Sequence, residues 1–375
     1  MSALKYILTA DDYGPVRFIN EGILHHVRKG SINSVQILPN FNQNLLNRSV
    51  DQLWNHVPPG KTVDVGLHLT LASGKPLITS RGNMDIYEIW GDFVDKTKYF
   101  NRNGKKVREV VFSKYKDFYL EYELLERERR EVIETTIIQE FQAQKKQLEI
   151  ALEKAKANNP AKPHALKLTC VSNHYDFFTL SQRFLELYMD VADGLAIRPP
   201  RRVPLWKSTN YVTSLGVFGV GTKKQRALAK KNIRLMDKYN YSADLKIKTP
   251  AYLDIGLYAA LGGISETPAF SGFESRFKKL QEVFERANNQ KTWKDYPEEN
   301  KIIEIVFHLG KTAIQNPNFS QRDEEGYVGI NYKYFENRLI ENRVLNAFRE
   351  EDLLDPALEN LASWEECPEI LFKKA

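Results

Sequence analysis

Cysteine is scarce in this chain of 375 residues, which contains Cys170, Cys367 and no others. A single pair excludes a disulfide framework and a thiolate zinc cluster, so a reducing compartment is the simplest expectation. Long apolar runs are also lacking, because no stretch approaches the roughly 20 consecutive apolar residues of a membrane span. The amino-terminal residues become acidic by position 11, which leaves no room for a signal-peptide apolar region. We therefore expect a cytoplasmic protein with no membrane partner.

A strong charge of either sign is missing as well. The net charge is +6, from 54 basic and 48 acidic residues. This slight excess falls well short of the basic footprint of a nucleic-acid-binding protein, so we expect no nucleic-acid partner. The chain has no internal repeat and no low-complexity segment. Its hydrophobic content of 42% is enough to bury one large core or two modest ones.

Short β-rich runs alternate with helical ones along most of the chain. The helical patterns fall at residues 19–28 and 119–157, and the latter stretch contains neither Gly nor Pro. The β-like runs fall at residues 6–10, 35–38, 63–71, 166–171 and 302–307. This alternation predicts an α/β fold with parallel strands covered by helices.

Four of the β-like runs end on residues that can bind a metal or move protons. They close with Asp11-Asp12, with His68, with His174 and with His308. Ligands bind at the carboxyl ends of the strands in α/β sheets and barrels, so these side chains are candidates for one site. Each also has a structural interpretation. The aspartates could cap a helix in a turn, and the histidines could be core or loop residues that bond to the backbone.

One carboxylate and two imidazoles form a common ligand set for a catalytic metal, because they leave positions open for water and substrate. Adjacent aspartates at a strand end can divide the work. One binds the metal, and the other accepts a proton from the attacking water.

The motifs resemble those of the YdjC-like carbohydrate deacetylases. Ala10-Asp-Asp-Tyr-Gly14 is similar to the family's opening signature, and Gly66-Leu-His-Leu-Thr-Leu71 to its second motif. Residues 304–310 resemble its late His-Pro-Gly motif, and Arg338-Leu-Ile-Glu341 resembles the Arg-x-x-Glu that follows. The resemblance implies a distorted (β/α) barrel with insertions, formed by one domain over residues 1–375.

The resemblance also implies roles for individual residues. Asp12, His68 and His174 would hold one divalent metal ion, zinc or magnesium. Asp11 would be the general base and His308 the general acid, while Tyr13 and Arg198 would bind substrate. The expected reaction is hydrolysis of the acetamide of an N-acetylated sugar or oligosaccharide. Alternatives are a sugar-binding protein without turnover and a metal-dependent phosphoesterase, and assembly into a homo-oligomer stays open.

Several features depart from the family pattern. The third motif keeps one of its usual histidines, His174, and a shift of one residue would place Asn173 there instead. Leu309 follows His308 where the family has proline. Insertions are expected at about residues 80–118 and 205–300. The second, which contains Trp206, could cover the barrel mouth or pack on its outside.

Overall fold

A computed structural model describes most of the chain. The described residues are 4–71, 73–95, 99–102, 105–108, 110–113, 122, 125–174, 187–188, 191, 245–248, 272–288, 302–311, 332–367 and 369–372. The strands are β1 (Lys5–Tyr13), β2 (Ser34–Ile37), β3 (Val63–Leu69), β4 (Ser80–Arg81), β5 (Met84–Asp85), β6 (Val94–Asp95), β7 (Tyr99–Arg102), β8 (Lys105–Arg108), β9 (Val111–Phe112), β10 (Leu166–Asn173), β11 (Leu245–Lys248), β12 (Ile302–Phe307) and β13 (Glu369–Phe372). The helices are α1 (Arg17–Arg28), α2 (Gln43–His56), α3 (Ile86–Trp90), α4 (Arg127–Asn158), α5 (Phe273–Asn288), α6 (Tyr332–Glu350) and α7 (Asp355–Leu358).

A parallel sheet forms the centre of the fold, with strand order β10-β3-β2-β1-β12. All residues of β2 and β3 are buried, the polar Gln36 and His68 included, as expected for strands in a sheet covered on both faces. Because the strands are parallel, their carboxyl ends meet at the same edge. The predicted α/β fold is therefore confirmed. Closure into a barrel stays a prediction.

The long helix predicted before β10 is present as α4. Its apolar positions Ile133, Ile137, Phe141 and Leu148 are fully buried and recur at helical spacing, so one face of the helix packs on the core. The polar side chain of Gln144 lies on the same buried face. It accepts from the backbone N of Thr70 at 3.2 Å and donates to the backbone O of Thr70 at 2.9 Å, which fastens the loop after β3 to the helix.

The two expected insertions differ in how much of them is described. Within residues 80–113 the described strands form short antiparallel pairs, β4 with β5, β6 with β9 and β7 with β8. In the second region β11 pairs with β13, and α5 packs on α6 through Phe277 and Phe348, whose ring centroids are 4.7 Å apart. Trp206 lies outside the described residues, so its placement over the barrel mouth stays a prediction. None of the described helices combines the length and the apolar composition needed to cross a bilayer.

Candidate metal centre and its surroundings

The carboxyl end of β1 presents two buried aspartates. Asp11 and Asp12 are 1% and 4% exposed, and Asp12 has a φ of 69°, a left-handed conformation that Asp tolerates better than most residues. The β1–β2 register shifts between Ala10 and Tyr13, so the usual alternation of side chains is interrupted there. Asn20 closes the turn, because its side chain accepts from Gly14 N and donates to Gly14 O, each at 2.8 Å.

Gly14 is required at this turn for two reasons. Its φ is 143°, and a Cβ there would lie 2.8 Å from the Phe41 ring and 2.9 Å from the Leu38 carbonyl oxygen. The glycine of the opening motif therefore lets the chain turn sharply beneath the aspartates.

Three of the predicted site residues converge on one point. Oδ1 of Asp12 lies 3.3 Å from Nε2 of His68 and 3.4 Å from Nε2 of His174, and the three ligand atoms all lie within 4.8 Å of one another. Ligands bound at about 2.0–2.2 Å in a tetrahedral zinc site would be separated by about 3.4 Å. The three atoms are thus spaced to hold one divalent ion. The ladder partner of Leu69 in β10 is Asn173, whereas the imidazole of His174 faces Asp12.

The two oxygens of Asp12 have different environments. Oδ2 accepts from Nη2 of Arg338 at 2.5 Å, whereas Oδ1 is buried and no donor in the described part of the chain reaches it with good hydrogen-bond geometry. Burial raises the pKa of Asp12, but Arg338 and the surrounding imidazoles outweigh it and hold the pKa well below its usual value. An ionised carboxylate with one buried, unused oxygen is the form that binds a cation.

Each imidazole is hydrogen-bonded to a serine hydroxyl through the ring nitrogen that faces away from Asp12. Nδ1 of His68 is 2.7 Å from Oγ of Ser172, and Nδ1 of His174 is 2.9 Å from Oγ of Ser73. Metal-binding histidines are usually held through their second nitrogen in this way. Burial lowers the pKa of His174 to about 4 despite the opposing effect of Asp12, so this imidazole is neutral and available as a ligand near pH 7.

The predicted base and acid lie on neighbouring strands. β1 pairs with β12 so that Ala10 is opposite Phe307, and Asp11 and His308 follow these two residues. Oδ2 of Asp11 is 4.0 Å from Nε2 of His308. The imidazole of His308 is 13% exposed, whereas Asp11 is almost completely buried. Both side chains thus border the metal centre, and the more exposed one is the predicted acid.

A second group of charged residues holds the strand ends in place. Glu341 accepts from the backbone N of His308 at 2.6 Å, and its other oxygen is 3.6 Å from Nη1 of Arg276. Burial raises the pKa of Glu341 to about 8, although Arg276 opposes this shift. Arg276 also donates to the backbone O and to Oδ1 of Asn337, at 2.9 and 2.8 Å.

Part of this second group could be recognised in the sequence. Arg338 and Glu341 are three residues apart, which places them on one face of α6, and they belong to a motif that the resemblance identified without a role. Arg276 had no such signal, because it lies within a predicted insertion and resembles any basic residue of a charged helix.

The described contacts do not place either of the two predicted substrate-binding residues at the metal centre. Tyr13 is fully buried, and its hydroxyl donates to the backbone O of Ser49 at 2.6 Å. Arg198 lies outside the described residues. Their roles toward a substrate stay predictions.

A cavity of about 800 Å³ lies away from these residues. Its walls include Thr62, Asp64 and Leu166, near the amino ends of β3 and β10. None of the residues of the candidate metal centre lines it, so it is not the space in which their chemistry would occur.

Comparison with known proteins gave three findings. The model of the YdjC-like protein family matches residues 5–349. Carbohydrate deacetylases from Vibrio vulnificus strains CMCP6 and YJ016 are 32% and 30% identical to the chain over 99 residues, which is 26% of this chain and 36% of those proteins. A crystal structure from Enterococcus faecalis V583, of a protein with a proposed role in cellobiose-phosphate cleavage, has a TM-score of 0.55 at 16% identity and covers 97% of this chain and 98% of its own. This last likeness concerns the fold alone.

Proposed function

Because the chain belongs to the YdjC-like protein family, we propose that it is a metal-dependent hydrolase that removes acetyl groups from N-acetylated sugars or oligosaccharides. The observation that carries the proposal is the convergence of Asp12, His68 and His174, with Asp11 and His308 beside them. The names of the two Vibrio proteins support a carbohydrate substrate, although the matching segment spans about a third of their length.

Asp12, His68 and His174 would hold the divalent ion. When bound there, such an ion supplies Lewis acidity, which polarises an acyl oxygen and makes water more acidic. The fit is supported by the distances of 3.3 and 3.4 Å from Oδ1 of Asp12 to the two imidazole nitrogens, and by the burial of this oxygen without a well-formed hydrogen bond from the described residues. Two imidazoles favour zinc, whereas a carboxylate also accepts magnesium.

The remaining residues provide the proton transfers. Asp11 is not needed as a ligand, so its carboxylate can accept the proton of the attacking water. The amine that leaves is a poor leaving group and must be protonated, and His308 is placed to donate that proton from the adjacent strand end. Arg338 keeps Asp12 ionised, so this carboxylate remains a ligand and does not compete for the proton.

The proposal is tested by acetate release. Purified protein is incubated with N-acetylated mono- and oligosaccharides after dialysis against a chelator and again after addition of zinc or magnesium. We expect acetate only with metal, and loss of most of it in Asp11→Asn, which keeps the shape of the side chain but cannot accept the proton. His164→Ala, which changes an exposed histidine, is the matched control and should keep full activity.

Other outcomes would assign a different function. Sugar binding with bound metal but no acetate would indicate a sugar-binding protein without turnover. Phosphate release from phosphorylated sugars would indicate a phosphoesterase. Two-metal phosphoesterases need a second set of ligands beside the first, and within the described ranges the group around Asp12 is the single cluster of His, Cys, Asp and Glu with the spacing of metal ligands.

A further inference from the structure

A chain of hydrogen bonds extends from His68 into the core of the sheet. Nδ1 of His68 is 2.7 Å from Oγ of Ser172, and this hydroxyl donates to Oε1 of Gln36 at 2.8 Å. All three side chains are at most 2% exposed. Gln36 lies on β2, the middle strand of the sheet, which contributes no ligand to the metal centre.

The far side of the Gln36 amide is also bonded. Its Nε2 donates to Oγ of Ser34 at 3.2 Å and approaches Sγ of Cys170 at 3.4 Å. The indole N–H of Trp364 donates to the same Ser34 oxygen at 3.1 Å. With its nitrogen held on this side, the amide presents its oxygen to Ser172.

The direction of these bonds shows that one particular ring nitrogen of His68, Nδ1, carries a proton. A serine hydroxyl has one hydrogen, and that of Ser172 is used on Gln36. The close contact with His68 must then be a bond that Nδ1 donates, so Nδ1 carries a proton. Nε2, on the other side of the ring, faces Oδ1 of Asp12.

Gly66 gives independent support for the importance of this arrangement. It pairs with Gln36 in the β2–β3 ladder, two residues before His68. A Cβ at Gly66 would lie 1.7 Å from Oε1 and 2.4 Å from Nε2 of Gln36. A glycine within a strand often marks such a close approach, and here it makes room for the amide to lie across β3.

We propose that Gln36 is a positioning residue, which through Ser172 holds His68 as the Nδ1–H tautomer so that Nε2 is available to a divalent metal ion. The inference rests on the metal centre of the proposed function. Without the amide oxygen, the Ser172 hydroxyl is free to donate to His68 Nδ1. The ring proton then moves to Nε2, where it blocks the ligand position.

The experiment measures the tautomer and the metal affinity separately. The ring nitrogens of His68 are observed by NMR in metal-free protein with ¹⁵N-labelled histidine, and His68→Gln identifies their signals. Zinc affinity is measured by competition with a chromophoric chelator. We expect the Nδ1–H form in the wild type. In Gln36→Leu we expect a shift toward Nε2–H and zinc binding weakened by about 10- to 100-fold, the usual effect of losing such a partner.

Three further variants separate positioning from stability. Gln36→Glu keeps an acceptor toward Ser172 and should retain the tautomer and the zinc affinity. Gly66→Ala displaces the amide and should reproduce the effect of Gln36→Leu. Gln43→Leu removes a partly buried glutamine that bonds to Asn47 and to the backbone O of Gln147, and it should change neither readout.

An Nε2–H ring in the wild type would overturn the proposal. So would a Gln36→Leu variant that loses thermal stability but keeps the wild-type tautomer and zinc affinity, since its role would then be structural only. A wild type that binds no zinc would refute the proposed function, and the tautomer measurement would still decide the role of Gln36.

Discussion

The ion pair between Arg338 and Asp12 allows a quantitative test of how the charge of the metal-binding carboxylate is compensated in the metal-free protein. Nη2 of Arg338 is 2.5 Å from Oδ2 of Asp12, and the two side chains are 6% and 5% exposed. Arg338→Met keeps most of the side-chain volume and leaves a buried carboxylate without its cation. Breaking a buried pair in this way typically costs about 3–5 kcal/mol, so we expect the free energy of unfolding of the metal-free protein to fall by that amount.

The loss should depend on pH because the pair controls the pKa of Asp12. A depressed carboxyl pKa stabilises the fold above the ordinary value of 3.8, and this contribution is lost as the pH falls through the depressed value. Burial raises the pKa of Asp12, and Arg338 is the main group that lowers it. In Arg338→Met this lowering effect is lost, so the pKa of Asp12 rises and the carboxylate resists ionisation. The deficit of the variant relative to the wild type should therefore grow as the pH rises through 3.8.

Urea unfolding with chelator and with excess zinc measures both effects. Zinc at about 100 times its dissociation constant should add about 2.7 kcal/mol to the wild type. Arg343→Met, which changes an exposed arginine of the same helix, is the control and should cost at most about 1 kcal/mol. A loss below about 1 kcal/mol in Arg338→Met would refute a buried ion pair.

Further predictions concern the proton transfers and the second charged group. Asp11→Asn should bind zinc as the wild type does, in a chelator competition, while losing most acetate release; equal loss of zinc would make Asp11 a ligand. His308→Ala should keep the metal and lower the rate about a hundred- to ten-thousand-fold, with a larger effect on amides than on activated esters in paired kinetic assays. Equal slowing of both substrates would contradict a role as general acid. Arg276→Met should lower the free energy of unfolding in urea by about 1.5–3 kcal/mol, because it removes the buried hydrogen bonds of the guanidinium to Asn337, whereas Lys279→Met, at a partly exposed pair, should cost at most about 1 kcal/mol.

The sequence predicted the central strands and the residues at their carboxyl ends because both leave local patterns. A buried strand appears as a short apolar run, and the residues at its carboxyl end can be read directly, as with His68 near the end of β3 and His308 after β12. The parallel pairing then brings such residues together without further information. The order β10-β3-β2-β1-β12 could not be read in this way, since it depends on contacts between distant segments.

The supporting residues were harder to predict for a related reason. Gln36 looks like an ordinary polar residue in a short strand, and its bond to Ser172 joins positions 136 residues apart. The signal for it was Gly66. This glycine can be explained only once its neighbour on β2 is known to be Gln36, because a side chain at Gly66 would collide with the Gln36 amide. Tyr13 shows the opposite case, because the motif that contains it was recognised but its hydroxyl is bonded to the backbone of Ser49.

The position of β1 between β2 and β12 has a consequence for synthesis of the chain. One edge of β1 pairs with β2, which follows it closely in the chain. The other edge pairs with Ile302–Phe307 and stays unpaired until those residues have been made. At about 5–20 residues per second, the ribosome needs about 15–60 s to make the intervening roughly 300 residues. During that time the nascent chain carries an open, apolar strand edge, the kind of surface that joins to other chains. Fragments that end before residue 302 should therefore aggregate unless a chaperone covers this edge.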